Sequence, residues 1–347
     1  MHGTSGSSPT ARHIRVLMRP SRGTNRRAPI YALVDSLPDD VEVVKFSWKR
    51  ALVGSWDILH LHWPESLLRA SGRAKKWAKY ALFLGLLARV AVSKPAVWTV
   101  HNESPHERGA RVEAFLLGLW GRVTRRNIYL YPSVTPTDER SVFIPFGDYS
   151  HLADELLTTH SREREARRIL LFGLLRPYKG IEQLVEAYAT LVAREPATSL
   201  AIMGRPIDEG YGREVENQVR GVPHLDFRGE LIEYEELVGE ITRSSFVVLP
   251  YRRMYNSGAA LLALSCGTPI LVPTSQTMED LRAESGEEWV MTYDGDLTAD
   301  ILDAALARFS TTASERESRS ALPLRSWSEV GEQYAELYRS LVAERRR

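Results

Sequence analysis

The stretch Ile169–Tyr188, ILLFGLLRPYKGIEQLVEAY, decides how this chain is read. Ile169–Phe172 is a short apolar run of the kind that forms a buried strand. From Ile181 the period changes. Ile181, Leu184, Val185, Tyr188, Leu191 and Val192 recur at helical spacing on one face. Between strand and helix lie Gly173, Arg176, Lys179 and Gly180. A strand that turns into a helix there sets two cations beside free backbone N–H groups at a helix start. That is a site for an anion, most often a phosphate.

A second segment matches it. Phe246–Leu249 is another apolar run, followed by Pro250, Tyr251 and then NSGAALLALSCGTPIL from Asn256. Asn256 or Ser257 suits a helix N-cap, Gly258 lets backbone approach a ligand closely, and Ser257, Gly258 and Ala259 can offer backbone N–H groups. The helix stops at Gly267, and Pro269 opens the next strand. Neither turn carries an acidic side chain at its mouth. The two together predict a diphosphate held between them.

Working outward, 347 residues imply two α/β domains. A formal net charge of +1 argues against a dedicated nucleic-acid binder. The single cysteine, Cys266, excludes a disulfide framework and fits a reducing, cytoplasmic compartment. It reads as a small buried residue. The first dozen residues lack an apolar core, so they read as a disordered tail over 1–12 rather than a secretory signal. The longest apolar run, Tyr80–Val92, is interrupted by Arg89 and too short to span a bilayer, which takes about 20 residues.

Charge is unevenly spread. No acidic residue lies between Glu65 and Glu103, while Arg69, Arg73, Lys75, Lys76, Lys79, Arg89 and Lys94 interleave with Trp77 and Tyr80. Residues 69–94 therefore have two readings of equal weight. One is an anionic-membrane contact, placing the protein peripherally at the inner face of the plasma membrane. The other is a core helix with a solvated basic face.

Strand and helix patterns alternate in both halves, which predicts parallel, doubly wound sheets. In the first half the helices are placed at Ala28–Ser36, Leu67–Ala91 and Arg111–Arg122. The polar stretch after Gly147 places a linker near 155–166. The expected division is an N-terminal domain over 13–160, a C-terminal domain over 161–325, and a terminal helix over 326–347 packing back on the first domain.

With these segments in view, FGLLRPYKGIEQLVEAY, AIMGRP, FRGELIEYEELVGEITRSSFVVLPY and NSGAALLALSCGTPIL resemble the C-terminal domain of group 1 GT-B glycosyltransferases. MRPSRGTN, DILHLHWPE and TVHNESPHE look like the first-domain loops of bacterial members that build lipid-linked or surface polysaccharides, mannosyltransferases included. The resemblance implies two Rossmann-like domains facing across a cleft and a metal-independent transfer of a sugar. The donor is a nucleotide-diphosphate sugar, GDP-mannose among the candidates, bound mostly to the C-terminal domain. The acceptor is a hydroxyl compound, lipid-linked in such enzymes. Arg176 and Lys179 match the family's basic pair, which stabilises the departing diphosphate, although they stand closer together than in the common pattern. Many retaining members carry two glutamates before the C-G-T-P turn. Here those positions are Met254 and Leu262, so the resemblance leaves the retaining or inverting outcome and the donor open, and a base on the first domain would serve an inverting reaction.

His101 follows the apolar strand Ala96–Val100, at the edge where open α/β sheets bind ligands, and is the first candidate base. Glu107, with His106 on the same loop, is the second and Glu65 the third. Gly23, Thr24 and Asn25 form a loop for diphosphate or acceptor, with an ordinary turn equally expected. The resemblance puts Gly204, Arg205 and Ile232 around the nucleotide base, and Tyr251 at the sugar or phosphate. His60 and His62 share a sheet face, but no third ligand is evident and no metal site is expected. Two other functions remain open at this point: a nucleotide-sugar epimerase, and a non-catalytic nucleotide-sugar binder.

Overall fold

The computed structural model describes residues 13–19, 29–101, 111–160, 163–252, 257–312 and 321–346. Strands β1 (Ile14–Met18), β2 (Val41–Lys45), β3 (Ile58–Leu61), β4 (Ala96–Val100), β5 (Arg126–Tyr129) and β6 (Ser141–Phe143) form one sheet. Their spatial order is β2-β1-β3-β4-β5-β6. Strands β7 (Arg168–Phe172), β8 (Ser199–Met203), β9 (Leu225–Arg228), β10 (Phe246–Val248), β11 (Ile270–Pro273) and β12 (Val290–Tyr293) form a second sheet, in the order β12-β11-β10-β7-β8-β9. Adjacent strands are parallel throughout both sheets. The order reverses between β1 and β3 in the first sheet and between β7 and β10 in the second. At such reversals the crevice beyond the strand ends binds ligands.

The first set of helices is α1 (Pro29–Ser36), α2 (Trp48–Val53), α3 (Glu65–Leu68), α4 (Arg73–Ser93) and α5 (Arg111–Val123). The second sheet carries α6 (Ser150–His160), α7 (Ile181–Arg194), α8 (Glu209–Val219), α9 (Tyr234–Arg243), α10 (Gly258–Ser265), α11 (Gln276–Ser285) and α12 (Ala299–Thr311), and α13 (Trp327–Arg346) follows. The helix expected over Leu67–Ala91 is two helices, because the chain breaks at Gly72 (φ 89°).

The chain divides into two compact units. The first holds the described residues up to Leu130, Thr135–Pro145 and those from Trp327 onward; the second holds Tyr131–Val134 and Phe146–Ser326. The boundary thus lies at Pro145, not in the expected linker near 155–166 or at residue 160. Helix α6 packs on α9 and α10 of the second unit. Glu165 is also fixed there, accepting from Arg243 Nε while its amide donates to Arg243 O at 2.8 Å. A polar composition marked this segment as a linker, but Arg164 donates to Gly267 O at 2.8 Å and Glu165 pairs with Arg243, both within the second unit. Arg325 closes that unit. Its buried guanidinium reaches both Glu284 oxygens, donates to Phe146 O at 3.1 Å and lies 5.3 Å from the Tyr131 ring.

Helix α13 lies on α1 and β1 of the first unit. Val330, Tyr334, Leu337, Tyr338 and Leu341, one stripe of the helix, are buried against Ile14, Val16, Ile58 and Val97. Each fully buried side chain of this size contributes about 1.5–3 kcal/mol of transfer free energy. The seam also has a polar lock. Tyr338 Oη is 2.7 Å from His60 Nδ1, and His60 Nε2 is 2.8 Å from Thr99 Oγ1. Removing the hydroxyl orphans a fully buried ring nitrogen. Tyr338→Phe is expected to lower stability by about 1–3 kcal/mol, read from the urea midpoint, with ligand affinity of the second unit unchanged.

Candidate functional site

The second sheet's strand reversal places two loops side by side, the one after β7 and the one after β10. Gly173 leaves β7 at φ +96°, a conformation that L side chains rarely adopt, and the chain then closes a 3-10 turn over Pro177–Lys179. Gly180 follows at φ +67°, and a Cβ there would stand 2.2 Å from Pro250 O in the β10 loop. Arg252 N donates to Tyr178 O at 2.8 Å. Glycine at position 180 thus lets the two loops meet.

They enclose a cavity of about 310 Å³ lined by residues of the second unit, among them Tyr149, Gly173, Lys179, Tyr234, Tyr251 and Ser257. Lys179 is only 6% exposed. Its ammonium donates to Phe172 O at 3.2 Å and lies 4.9 Å from the centroid of the Tyr251 ring. Among the described residues no carboxylate pairs with it. Burial, with repulsion from the Arg176 guanidinium second, brings it down from 10.5 to about 8. The cation is thus held in a poorly solvated place whose protein partners carry no negative charge. An anion supplies what is missing.

Helix α10 starts at the same cavity. Ser257 is its N-cap, its hydroxyl accepting from Ala260 N at 3.2 Å. The first-turn amides of Gly258 and Ala259 have no intrahelical acceptors, and the helix dipole favours negative charge there. Buried Tyr251 forms one wall, edge-on to Tyr178 at 5.7 Å between centroids. Burial first, and the Tyr178 phenol next, push its hydroxyl above the usual phenol range, with the Ser257 hydroxyl offsetting them. This phenol stays neutral.

Lys179, Tyr251, Ser257, Gly258 and Ala259 therefore come together around the cavity, with Leu262 at one of the two positions that the resemblance assigns to a glutamate in many retaining members. Arg176 does not line the cavity. It is half-buried beside it and acts on Lys179 through its charge. Gly204, exposed Arg205 and half-buried Ile232 are not lining residues either. Gly204 lies against Gly173, its would-be Cβ 2.1 Å from Gly173 O, so it shapes the turn instead. Asn256 and Met254, Gly23, Thr24 and Asn25, and His106 and Glu107 fall outside the described residues. Tyr149, Tyr234 and Leu237 line the cavity without a sequence signal, because they arrive from distant segments.

The first sheet gathers a second group at its C-terminal edge. His62 Nδ1 is 3.0 Å from His101 Nε2, and the His60 and His62 rings are 4.4 Å apart. Burial holds His101 down to about 3, and burial before neighbouring charge does the same for His60. Burial, then His60 and His101, carry His62 well below its ordinary value. All three are neutral at pH 7, so a single N–H lies between His62 and His101. Both ring nitrogens of His60 are engaged, by Tyr338 and Thr99, and neither is left for a metal. Glu65, half-buried in the first turn of α3, is shifted upward by burial, with its own backbone amide and then Arg69 pulling the other way.

Two parallel six-stranded units with an anion site at a strand reversal fit the GT-B fold. The chain belongs to the group 1 glycosyltransferases: the family model described as "Glycosyl transferases group 1" matches residues 166–309, and a curated member is 34% identical over most of the chain. That relative is the GDP-mannose:glycolipid 4-beta-D-mannosyltransferase of Xanthomonas campestris pv. campestris, matched over 325 residues, 92% of this chain and 89% of that protein. The phosphatidyl-myo-inositol mannosyltransferase of Mycolicibacterium smegmatis is 26% identical over 306 residues, 83% of this chain and 72% of that one. Among solved structures, Anabaena Alr3699/HepE in complex with UDP-glucose superposes with a TM-score of 0.63 at 14% identity, over 94% of this chain and all of that one. The curated relatives are transferases, so the epimerase and non-catalytic readings are not favoured.

The depressed lysine makes two linked expectations. Between pH 8 and 10.5 the unfolded chain holds more of this proton than the native one. The cost of burying the ammonium is therefore fully present below about pH 8 and is relieved as pH rises towards 10.5. Anion binding runs the other way, because the protonated form binds. Affinity for sulfate, whose charge is constant over this range, measured by calorimetry, is expected to be flat well below pH 8 and then to fall by up to about tenfold per pH unit above it.

Proposed function

We propose that this glycosyltransferase moves mannose from GDP-mannose to a hydroxyl of a glycolipid, with inversion at the anomeric carbon. The observation that carries the reading is the buried ammonium of Lys179 at the start of α10, which has no carboxylate partner among the described residues. A diphosphate leaving group develops charge as the glycosidic bond breaks, and a preorganised cation and helix start stabilise that charge most where water is excluded. Arg176 adds long-range charge from beside the cavity.

The donor base, the sugar and the acceptor class rest on the Xanthomonas relative, whose name gives GDP-mannose, a glycolipid and a β linkage. Transfer from an α-linked donor to a β-linked product is inversion. That agrees with Leu262 at the cavity wall, where many retaining members have a carboxylate. Inversion needs a base for the acceptor hydroxyl. His101 is the first candidate, and Glu107 is the alternative. H101Q and E107Q separate them: the variant lacking the base loses kcat without losing GDP affinity. No metal or organic cofactor is part of the proposal.

A glycolipid acceptor calls for contact with a bilayer. No described helix is long and apolar enough to cross one. The basic stretch 69–94 is largely spoken for within the first unit. Arg69 pairs with Glu113 at 3.1 Å, Lys79 donates to Arg69 O, and Arg89 donates to the Ala51 and Gly54 carbonyls beneath the Trp56 ring. What α4 leaves outward is apolar. Trp77, Ala81, Leu84, Ala88 and Val92 form one exposed stripe, with Arg73 and Lys75 exposed at its start. We infer that this stripe lies on an anionic membrane surface.

Lys179→Ala is expected to lower kcat by about 100- to 1,000-fold in a GDP-mannose transfer assay, with an unchanged circular dichroism spectrum. Wild-type turnover would remove Lys179 from the mechanism. GDP should raise the melting temperature more than UDP, ADP or dTDP, and the reverse order would reject the donor assignment. In pelleting with phosphatidylglycerol vesicles, W77E/L84E should bind at least about tenfold more weakly than wild type, and equal pelleting would sink the membrane contact.

A further inference from the structure

Trp63 is a built aromatic surface that the reading above leaves unused. It follows β3 at the C-terminal edge of the first sheet, the edge at which open α/β sheets take ligands. Its indole stacks on the His101 imidazole, 4.4 Å between centroids and 16° from parallel, with the His62 ring 5.7 Å away. His101 is 7% exposed and Trp63 37%, so the imidazole backs the indole while the indole itself reaches solvent.

The platform is rigid. Pro64 restricts the Trp63 backbone from the C-terminal side. Trp63 O accepts from Ser66 N at 3.1 Å and from Ser66 Oγ at 2.7 Å. Ser66 Oγ in turn accepts from Arg19 Nη1 at 3.0 Å. The indole N–H donates to no described residue. The indole is anchored on its His101 side yet still 37% exposed, which leaves an apolar face in water that a ligand can cover. The ring beneath is neutral, so covering the indole with a sugar desolvates no charge.

We propose that Trp63 is the stacking platform for the sugar ring of the acceptor. The C–H face of a pyranose lies on the indole, and the indole N–H donates to a ring hydroxyl. This rests on the glycosyl-transfer reading: a transferase needs a second sugar site, and the Lys179 cavity is lined wholly by residues between Tyr149 and Leu262. An indole offers a large, stiff, amphipathic contact at small entropic cost.

The test uses the full-length protein labelled with ¹⁵N at its tryptophans. W63F assigns the Trp63 indole resonance. Hexyl β-D-glucoside, hexyl β-D-galactoside and hexyl α-D-mannoside are then titrated with GDP present. At least one is expected to shift the Trp63 resonance. Trp63→Ala should weaken that glycoside about tenfold or more, and W63F by less than about threefold, with GDP affinity unchanged in both. No Trp63 shift with any of the three overturns the proposal. Displacement of the glycoside by GDP-mannose but not by GDP would put the donor sugar on Trp63 and also overturn it. Loss of GDP affinity in W63A would reduce Trp63 to a structural role. Glycoside binding at Trp63 without GDP binding at Lys179 would instead reject the donor reading and leave this one standing.

Discussion

An ammonium group buried to 6% exposure, with no carboxylate partner among the described residues, is the constraint around which the second unit is organised. Water would solvate that charge better than a carbonyl and a phenol ring do, which is why its proton is held less tightly than usual. Nothing about folding alone asks for such a residue. The fold tolerates it through local geometry. Gly173 and Gly180 bend the chain so that Lys179 points back at the end of β7, and the Gly180 turn is pressed against Pro250 beyond β10. The same closeness brings the start of α10 to the cavity. A cation and a helix N-terminus converge because two strands adjacent in the sheet, though far apart in sequence, end side by side.

The first unit is chemically different. Its edge holds neutral imidazoles, a half-buried carboxyl and an indole rather than a bare cation. That chemistry suits polar, uncharged groups such as sugar hydroxyls. The histidines also join site and scaffold. His60 is locked to α13 through Tyr338, its ring lies 4.4 Å from that of His62, and His62 meets His101. The terminal helix is therefore part of what holds the sheet edge in shape, beyond the apolar stripe it buries.

Much of this was legible in the chain. The change of period between Phe172 and Ile181 announced a strand, a turn and a helix, and β7 and α7 lie at Arg168–Phe172 and Ile181–Arg194. Ser257 was readable as an N-cap because a short hydroxyl before an apolar run has one economical use there. Other features were hidden. Arg176 and Lys179 look equivalent in sequence, yet only Lys179 lines the cavity, because the 3-10 turn between them rotates one inward. The basic run over 69–94 read as a charged surface, yet Arg69, Lys79 and Arg89 are tied to a carboxylate and to carbonyls. Composition counts charges without saying what they face. The histidine pair at 60 and 62 gave no hint of His101, which is brought in from β4 by strand pairing.

Local pattern thus settled the α/β class, the parallel sheets and the phosphate-type turns, since periodicity, capping and glycine placement act over a few residues. It also carried the family likeness. Which cation is buried, which aromatic rings wall the cavity, where the units divide and which face of α4 is left apolar were settled by packing. Those properties depend on contacts between segments tens to hundreds of residues apart, and burial, which sets both charge state and exposure, exists only once those segments meet.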